Sequence, residues 1–179
     1  MPGRRPPPRG FVVDANVLID YADSDASLLA LVGTHLGPLR VLLPVLAEVD
    51  QLSPADCERL GIALIEPDLA MLSAAAAPQS RISLPDRLCL LEAQANGLAC
   101  VTNDRALRSV CLEAGVPVLW GLELLTELVA RRVLGAGEAL ATARAMQKSN
   151  PRHITDALLA RLDARLRTPP HPPPPDEPL

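Results

Sequence analysis

Five short, near-continuous apolar runs recur along this chain, and helical patterns separate them. The runs are residues 11–13, 40–43, 62–65, 98–101 and 116–119. Uninterrupted apolar runs are typical of strands that are covered on both faces, and strands that alternate with helices form parallel sheets. The sequence therefore predicts an α/β fold: a three-layer α/β/α sandwich with a mostly parallel sheet of about five strands, plus C-terminal helices.

The segments between and after these runs have the apolar spacing of helices. We expect helices near residues 16–33, 44–51, 54–60, 68–77, 84–96 and 104–114, followed by an all-helical part at 121–133, 136–148 and 153–166. Gly97 and Gly115 each follow a predicted helix and precede a strand. That is the position of a left-handed helix cap, which favours glycine.

Composition divides the chain into four parts. Residues 1–10 and 168–179 are rich in proline and lack the apolar residues that would offset the entropy of ordering, so we predict two flexible ends. Residues 11–133 carry the alternating pattern and should form the main domain. Residues 134–167 form a helical extension whose apolar stripes favour packing on the domain's own core, with docking of a partner as the alternative.

Charge and aromatic content narrow the classes of partner. The formal net charge of -4 argues against a protein that coats nucleic acid with a broad basic face. One Trp, one Tyr and one Phe cannot build an aromatic platform for single strands, so nucleic-acid binding would have to rest on backbone contacts. Lys148 is the only lysine, and nearly every cation is therefore an arginine, whose planar fork suits phosphate.

The four cysteines indicate a reducing compartment. They stand in apolar contexts without a C-x-x-C spacing or a paired histidine, so we interpret them as buried thiols of a cytoplasmic protein rather than as zinc ligands. No apolar run approaches the ~18 residues that a membrane-spanning helix needs, and no signal peptide is visible. The sequence predicts no membrane association.

Polar residues stand where two of the predicted strands end. Asp14 and Asn16 follow the first run, and Thr102, Asn103 and Asp104 follow the fourth. The carboxyl ends of the strands line the reactive crevice of an open parallel sheet, so these side chains should meet there. Helix capping would explain one such residue, but it does not explain the repeated arrangement.

Further acids lie near other predicted helix starts. Glu48 and Asp50 follow the second run, and periodicity alone favours neither. Asp86 lies in the first turn of a helix after Ser83, where capping is a complete structural explanation. Asp20 lies a turn beyond Asn16 and is predicted to face solvent. Converging carboxylates would form an oxygen-only site that suits Mg²⁺ or Mn²⁺ rather than zinc, and a cation would be needed to neutralise them.

Three segments of the chain, VVDANVLID, LPVLAEVDQL and SLPDRLCLLEAQANGLACVTNDRALRSVCLEAGV, together resemble the PIN-domain family of metal-dependent ribonucleases, which includes the VapC-type toxins of bacterial toxin–antitoxin pairs. The resemblance covers residues 11–130. The acids that it assigns to metal binding and catalysis are Asp14, Glu48, Asp86 and Asp104. Asn16, Thr102 and Asn103 would support them, and Arg87 and Arg105 are weaker candidates for contacts to phosphate.

The resemblance implies that residues 11–133 are a nuclease domain that hydrolyses RNA phosphodiester bonds with one or two Mg²⁺ or Mn²⁺ ions. Glu48 is preferred to Asp50 because it matches the family's glutamate. The fourth acidic region offers Asp104 alone where some relatives have more carboxylates, which leaves the number of ions open. The implied partners are an RNA substrate, a second copy of the chain in a homodimer and a cognate antitoxin protein.

Two alternatives remain open on the sequence. One is a catalytically inert PIN-fold module that binds or scaffolds. The other is a haloacid-dehalogenase-type phosphatase, in which Asp14 would be the covalent nucleophile. The phosphatase is less favoured because it needs a Lys or Arg after a later strand and a paired-acid motif, whereas Lys148 lies well past the sheet and no adjacent pair of aspartates is present.

Overall fold

A computed structural model describes residues 8–76 and 81–167 of the chain. The flexible ends predicted at 1–10 and 168–179 therefore lie outside the described residues, apart from residues 8–10. The end of the predicted helix 68–77 also lies outside them.

The described part of the chain contains a five-stranded sheet in which every strand pair is parallel. Ten helices surround this sheet, and the predicted three-layer α/β/α sandwich is confirmed. The strands are β1 (Phe11–Val13), β2 (Leu39–Leu42), β3 (Ala63–Ile65), β4 (Ala99–Val101) and β5 (Val118–Leu119).

The strand order is β3-β2-β1-β4-β5, so β1 lies at the centre. The chain first adds β2 and β3 on one side of β1, and then crosses over to add β4 and β5 on the other side. Val12 and Val13 of β1 are fully buried, as expected for a strand covered on both faces. The strand order reverses between β1 and β4, and the carboxyl ends of these two strands open the crevice in which an open α/β sheet binds its ligands.

The helices follow the predicted positions with two differences. The segment predicted as one helix over 16–33 forms two, because the chain is extended at Asp25 and the Asp25 side chain accepts a hydrogen bond from the backbone of Ser27. The helix predicted at 44–51 ends after one turn and continues as tight turns, in which Glu48 and Val49 donate to carbonyls three residues earlier. The helices are α1 (Ala15–Ser24), α2 (Ser27–His35), α3 (Leu43–Leu46), α4 (Pro54–Arg59), α5 (Leu69–Ala75), α6 (Leu84–Asn96), α7 (Arg105–Glu113), α8 (Gly121–Ala130), α9 (Ala136–Ser149) and α10 (Asp156–Arg167).

The C-terminal helices pack on the rest of the fold. Helix α9 lies against α1 and α8, and α10 lies against α8 and α9. Ala139, Ala143 and Met146 form the buried stripe of α9, and the two alanines allow a close approach to α1. Among the described helices, none is both long enough and apolar enough to cross a lipid bilayer.

Two glycines provide a matched test of the packing around β1. A Cβ atom on Gly10 would lie 2.6 Å from the Pro38 carbonyl oxygen, whereas one on Gly33, inside α2, would meet nothing within 4 Å. We expect Gly10→Ala to destabilise the protein by about 2 kcal/mol or more, because backbone must move. Gly33→Ala should stabilise it by about 0.5–1 kcal/mol, because alanine favours the helix. Urea unfolding measures both, and equal effects would contradict the described approach of Gly10 to Pro38.

Candidate active site

Asp14 leaves the end of β1 and points its carboxylate into the interior. The side chain is only 3% exposed. Its Oδ1 accepts a hydrogen bond of 2.7 Å from the backbone N–H of Ala15, and its Oδ2 accepts one of 2.9 Å from the Thr102 hydroxyl. Asp14 therefore caps α1 and is also joined to the residue that follows β4.

Thr102 links two of the predicted acids. Its fully buried hydroxyl donates to Asp14 and accepts a 3.0 Å hydrogen bond from the backbone N–H of Asp104. Asp104 then caps α7, because its Oδ1 accepts from the Leu107 N–H at 2.7 Å. This chain of hydrogen bonds holds Asp14 and Asp104 at the same edge of the sheet.

Asp86 and Glu48 reach the crevice from other segments. Helix α6 leads into β4 and packs antiparallel to it, so its first turn lies at the carboxyl edge of the sheet. Asp86 stands in that turn and its Oδ2 accepts hydrogen bonds from the backbone and hydroxyl of Ser83, at 3.1 and 2.7 Å. Glu48 stands in the turns after α3, with its side chain exposed.

The pKa values of two buried groups respond to the charges of three of these acids. Burial raises the pKa of Asp14 to about 6, the Thr102 hydrogen bond opposes the rise, and the charge of Asp86 adds to it. Burial likewise raises the pKa of the Cys89 thiol, with further contributions from the charges of Asp14, Asp86 and Glu48. The charges of three of the four predicted acids therefore act on one buried thiol of α6.

Comparisons with known proteins give one informative match. No protein-family model matches the chain, and neither does any curated protein sequence. Among solved structures, the fold is similar to a PilT N-terminus domain protein from the hyperthermophilic archaeon Sulfolobus solfataricus P2, with a TM-score of 0.50 and 10% identity, over 66% of this chain and 92% of that one. The chain has a PIN-domain fold. At this identity the likeness concerns the fold alone.

The donor atoms of this PIN-fold site are of the type that hard divalent cations prefer. They are carboxylate and hydroxyl oxygens, and Asp86 and Asp104 each keep one oxygen outside their capping hydrogen bonds. Within the described ranges, however, no group of three or more His, Cys, Asp or Glu side chains is close enough to hold an ion. To bind one ion, the side chains of the four acids would have to come closer together than they are here.

The remaining predicted residues differ in their access to a ligand. Asn16 is exposed, and its hydrogen bond lowers the pKa of Asp14, so it supports the charged form of the carboxylate. Arg105 is the exposed first residue of α7, next to Asp104, whereas Arg87 is half-buried in the first turn of α6. Of the two arginines, Arg105 is the one that a phosphate can reach freely.

Asp20 corrects the prediction from the sequence. It was expected to face solvent, but it is only 2% exposed and accepts hydrogen bonds of 2.9 Å from the side-chain amides of both Asn103 and Asn150. The reason is that α9 covers the outer face of α1. Asn103 Oδ1 in turn accepts a 3.0 Å hydrogen bond from the Gly121 N–H, so its side chain joins α1 and α8 to the segment after β4.

No signal in the sequence near Asp20 separates it from the surface acids of the same helix. Its partners lie 83 and 130 residues away along the chain. The four cysteines, in contrast, are buried thiols as their apolar contexts predict.

The raised pKa of Asp14 predicts a pH-dependent stability. The folded chain keeps a proton that the unfolded chain releases between pH 3.8 and about 6, so in EDTA stability is lost as pH rises through that window. Asp14→Asn removes this penalty and should be more stable than the wild type by about 1–3 kcal/mol at neutral pH, with little difference near pH 4. Urea unfolding across this range measures it, and a difference that does not vary with pH would contradict the shift.

Asp20 and Asp23 form a matched pair on α1, because Asp20 is buried and Asp23 is exposed. Asp20→Ala leaves the buried amides of Asn103 and Asn150 without their acceptor and should destabilise the protein by about 2–4 kcal/mol. Asp23→Ala should change the free energy of unfolding by less than about 0.5 kcal/mol. Thermal or urea unfolding compares them, and similar small effects would place Asp20 at the surface after all.

Proposed function

We propose that this chain is a metal-dependent ribonuclease that hydrolyses RNA phosphodiester bonds in the cytoplasm. The observation that carries the proposal is the position of Asp14: a buried carboxylate at the reversal of strand order, hydrogen-bonded to Thr102. Asp86, Glu48 and Asp104 lie at the same edge of the sheet. Carboxylates that separate segments bring to one edge of a sheet favour a bound cation, and the PIN fold is consistent with nuclease chemistry.

The residues that would hold one or two Mg²⁺ or Mn²⁺ ions are Asp14, Glu48, Asp86 and Asp104. Such an ion, when bound, supplies an activated water nucleophile and stabilises negative charge on the phosphoryl group. Thr102 orients the Asp14 carboxylate through its hydrogen bond, and the capping bond at Oδ1 of Asp104 fixes the direction of its other oxygen. Arg105, which is exposed next to Asp104, would neutralise a phosphate of the RNA.

The finer proposal is that the chain is the toxin of a bacterial toxin–antitoxin pair, which acts as a homodimer and is held inactive by a cognate antitoxin. Its support is the resemblance of the motifs at Asp14, Glu48, Asp86 and Thr102–Asp104 to those of VapC-type toxins.

An inert PIN-fold binding module is the second candidate, and one observation favours it. Asp86 and Asp104 each commit one oxygen to a helix cap, and the described side chains do not gather three ligands at metal-binding distance. In an inert module these two acids would be helix caps and nothing more.

Cleavage of RNA separates the two candidates. With Mn²⁺ or Mg²⁺, the wild type should degrade a labelled single-stranded or structured RNA, and EDTA should stop the reaction. Asp14→Asn should reduce cleavage to background because it removes a ligand charge at the centre of the site, whereas the exposed control Asp23→Asn should cleave like the wild type. Gel analysis of the products measures this, and cleavage by Asp14→Asn at the wild-type rate would show that the site is assigned wrongly.

The toxin proposal is tested in a bacterial host with inducible expression. Wild-type protein should arrest growth, and Asp14→Asn should not, at equal levels of protein by immunoblot. Unimpaired growth with the wild type would argue strongly against a toxin, although RNA cleavage in vitro would still stand.

A further inference from the structure

The fold contains an arginine–tryptophan stack beside the candidate active site. The Cζ atom of Arg108 lies 4.2 Å from the centroid of the Trp120 ring, within the range of a cation–π interaction. Trp120 is the only tryptophan of the chain, and it stands directly after β5, at the carboxyl edge of the sheet. Both residues are partly exposed.

Hydrogen bonds fix both members of this stack to the segment that follows β4. The backbone N–H of Arg108 donates to the Asp104 carbonyl at 3.1 Å. The N–H of Gly121, the residue after Trp120, donates to the Asn103 side chain at 3.0 Å. The stack is therefore held one helical turn from a predicted catalytic acid, with little freedom to move away from it.

Arg108 has hydrogen-bonding capacity that its own fold does not use. Its Nη1 is buried and has no hydrogen-bond partner among the described residues. Among the described residues the guanidinium makes no ion pair and no side-chain hydrogen bond, and it contacts the Trp120 ring, so its positive charge is not neutralised by an acid of the fold. The exposed Arg105, one turn earlier on α7, adds a second cation on the way to Asp104.

We propose that Trp120 and Arg108 form a base-stacking subsite for one nucleotide of single-stranded RNA. In this subsite one nucleobase stacks on the partly exposed indole ring, and the guanidinium of Arg108 binds an oxygen of the same nucleotide. This deepens the ribonuclease proposal and rests on it. A chain with three aromatic residues cannot hold a run of bases, but one stacked base is sufficient to set the register of the RNA at the acids.

The intrinsic fluorescence of the full chain reports on this subsite directly, because Trp120 is the sole tryptophan. The probe is a short oligoadenylate, added in EDTA so that no metal-dependent cleavage occurs. The matched control is an abasic ribose-phosphate oligomer of the same length and charge. Oligoadenylate should quench Trp120 in a saturable way, and the abasic oligomer should not. Equal responses to both oligomers, or no response to either, would overturn the proposal.

Variants test whether the ring carries affinity, with binding followed by a fluorescently labelled oligoadenylate. Trp120→Leu should weaken binding about ten-fold or more, while Trp120→Phe, which keeps a ring, should lose less. Arg108→Ala should also weaken binding. The control is Arg161→Ala, which removes one positive charge at an exposed position elsewhere and should not change the affinity.

Unchanged affinity in a folded Trp120→Leu protein, as judged by its circular dichroism, would overturn the proposal and leave the stack as a packing contact between α7 and α8. If Trp120→Leu does not fold, the comparison of the two oligomers with the wild type decides alone.

The two proposals fail in different ways. Base-dependent quenching in EDTA without any metal-dependent cleavage would reject the ribonuclease and support the subsite as an RNA-binding element. Metal-dependent cleavage without base-dependent quenching would support the ribonuclease and reject the subsite.

Discussion

The hydrogen bond from Thr102 to Asp14 joins the exits of the two central strands, and the arrangement of the crevice depends on it. β1 and β4 are neighbours only because the chain crosses over after building β2 and β3 on the other side. Their parallel pairing brings the residues after Val13 and Val101 to the same edge. Thr102 then uses its one hydroxyl twice, as donor to Asp14 and as acceptor from Asp104. Replacing that hydroxyl would separate two acids that are 90 residues apart in sequence.

A second group of buried polar side chains holds the segment that follows β4 in place. The Asp20 carboxylate accepts hydrogen bonds from the side-chain amides of Asn103 and Asn150, and the side-chain oxygen of Asn103 accepts one from the Gly121 N–H. The Tyr21 hydroxyl also donates to the Gly121 carbonyl, at 2.9 Å. The C-terminal helices thus reach the loop that carries Asp104 through a continuous set of hydrogen bonds. The helical extension is part of the structure that positions the site.

The burial of Asp14 has a cost that function would explain. A carboxylate whose pKa is raised to about 6 by burial pays a desolvation penalty in its charged form at neutral pH. If capping α1 were the only role of Asp14, an exposed residue could do the same without that penalty. A bound cation would remove the penalty, because it favours the charged form. A loss of stability of this kind is common at functional sites, where the bound ligand offsets it.

The sheet could be predicted well from the sequence, whereas the burial and hydrogen bonds of the polar residues could be predicted only in part. Near-continuous apolar runs identify all five strands, because strands covered on both faces need no polar side. Periodicity could not show that the chain breaks at Asp25, since the break depends on one side-chain hydrogen bond to Ser27. It also could not show that Asp20 is buried, because that follows from the docking of α9, more than a hundred residues later. Asp86 was open to two interpretations from the start, and its capping box with Ser83 shows the structural one without excluding a metal ligand at its other oxygen.

Calorimetric titration of Mn²⁺ into the metal-free protein shows whether Asp14, Glu48, Asp86 and Asp104 bind a cation together. The wild type should bind one or two ions saturably near neutral pH. Binding should release protons near pH 6, where Asp14 is only partly ionised, and Asp14→Asn should lose binding. The absence of binding heat with the wild type, or identical titrations for the wild type and Asp14→Asn, would contradict a metal site at these four acids.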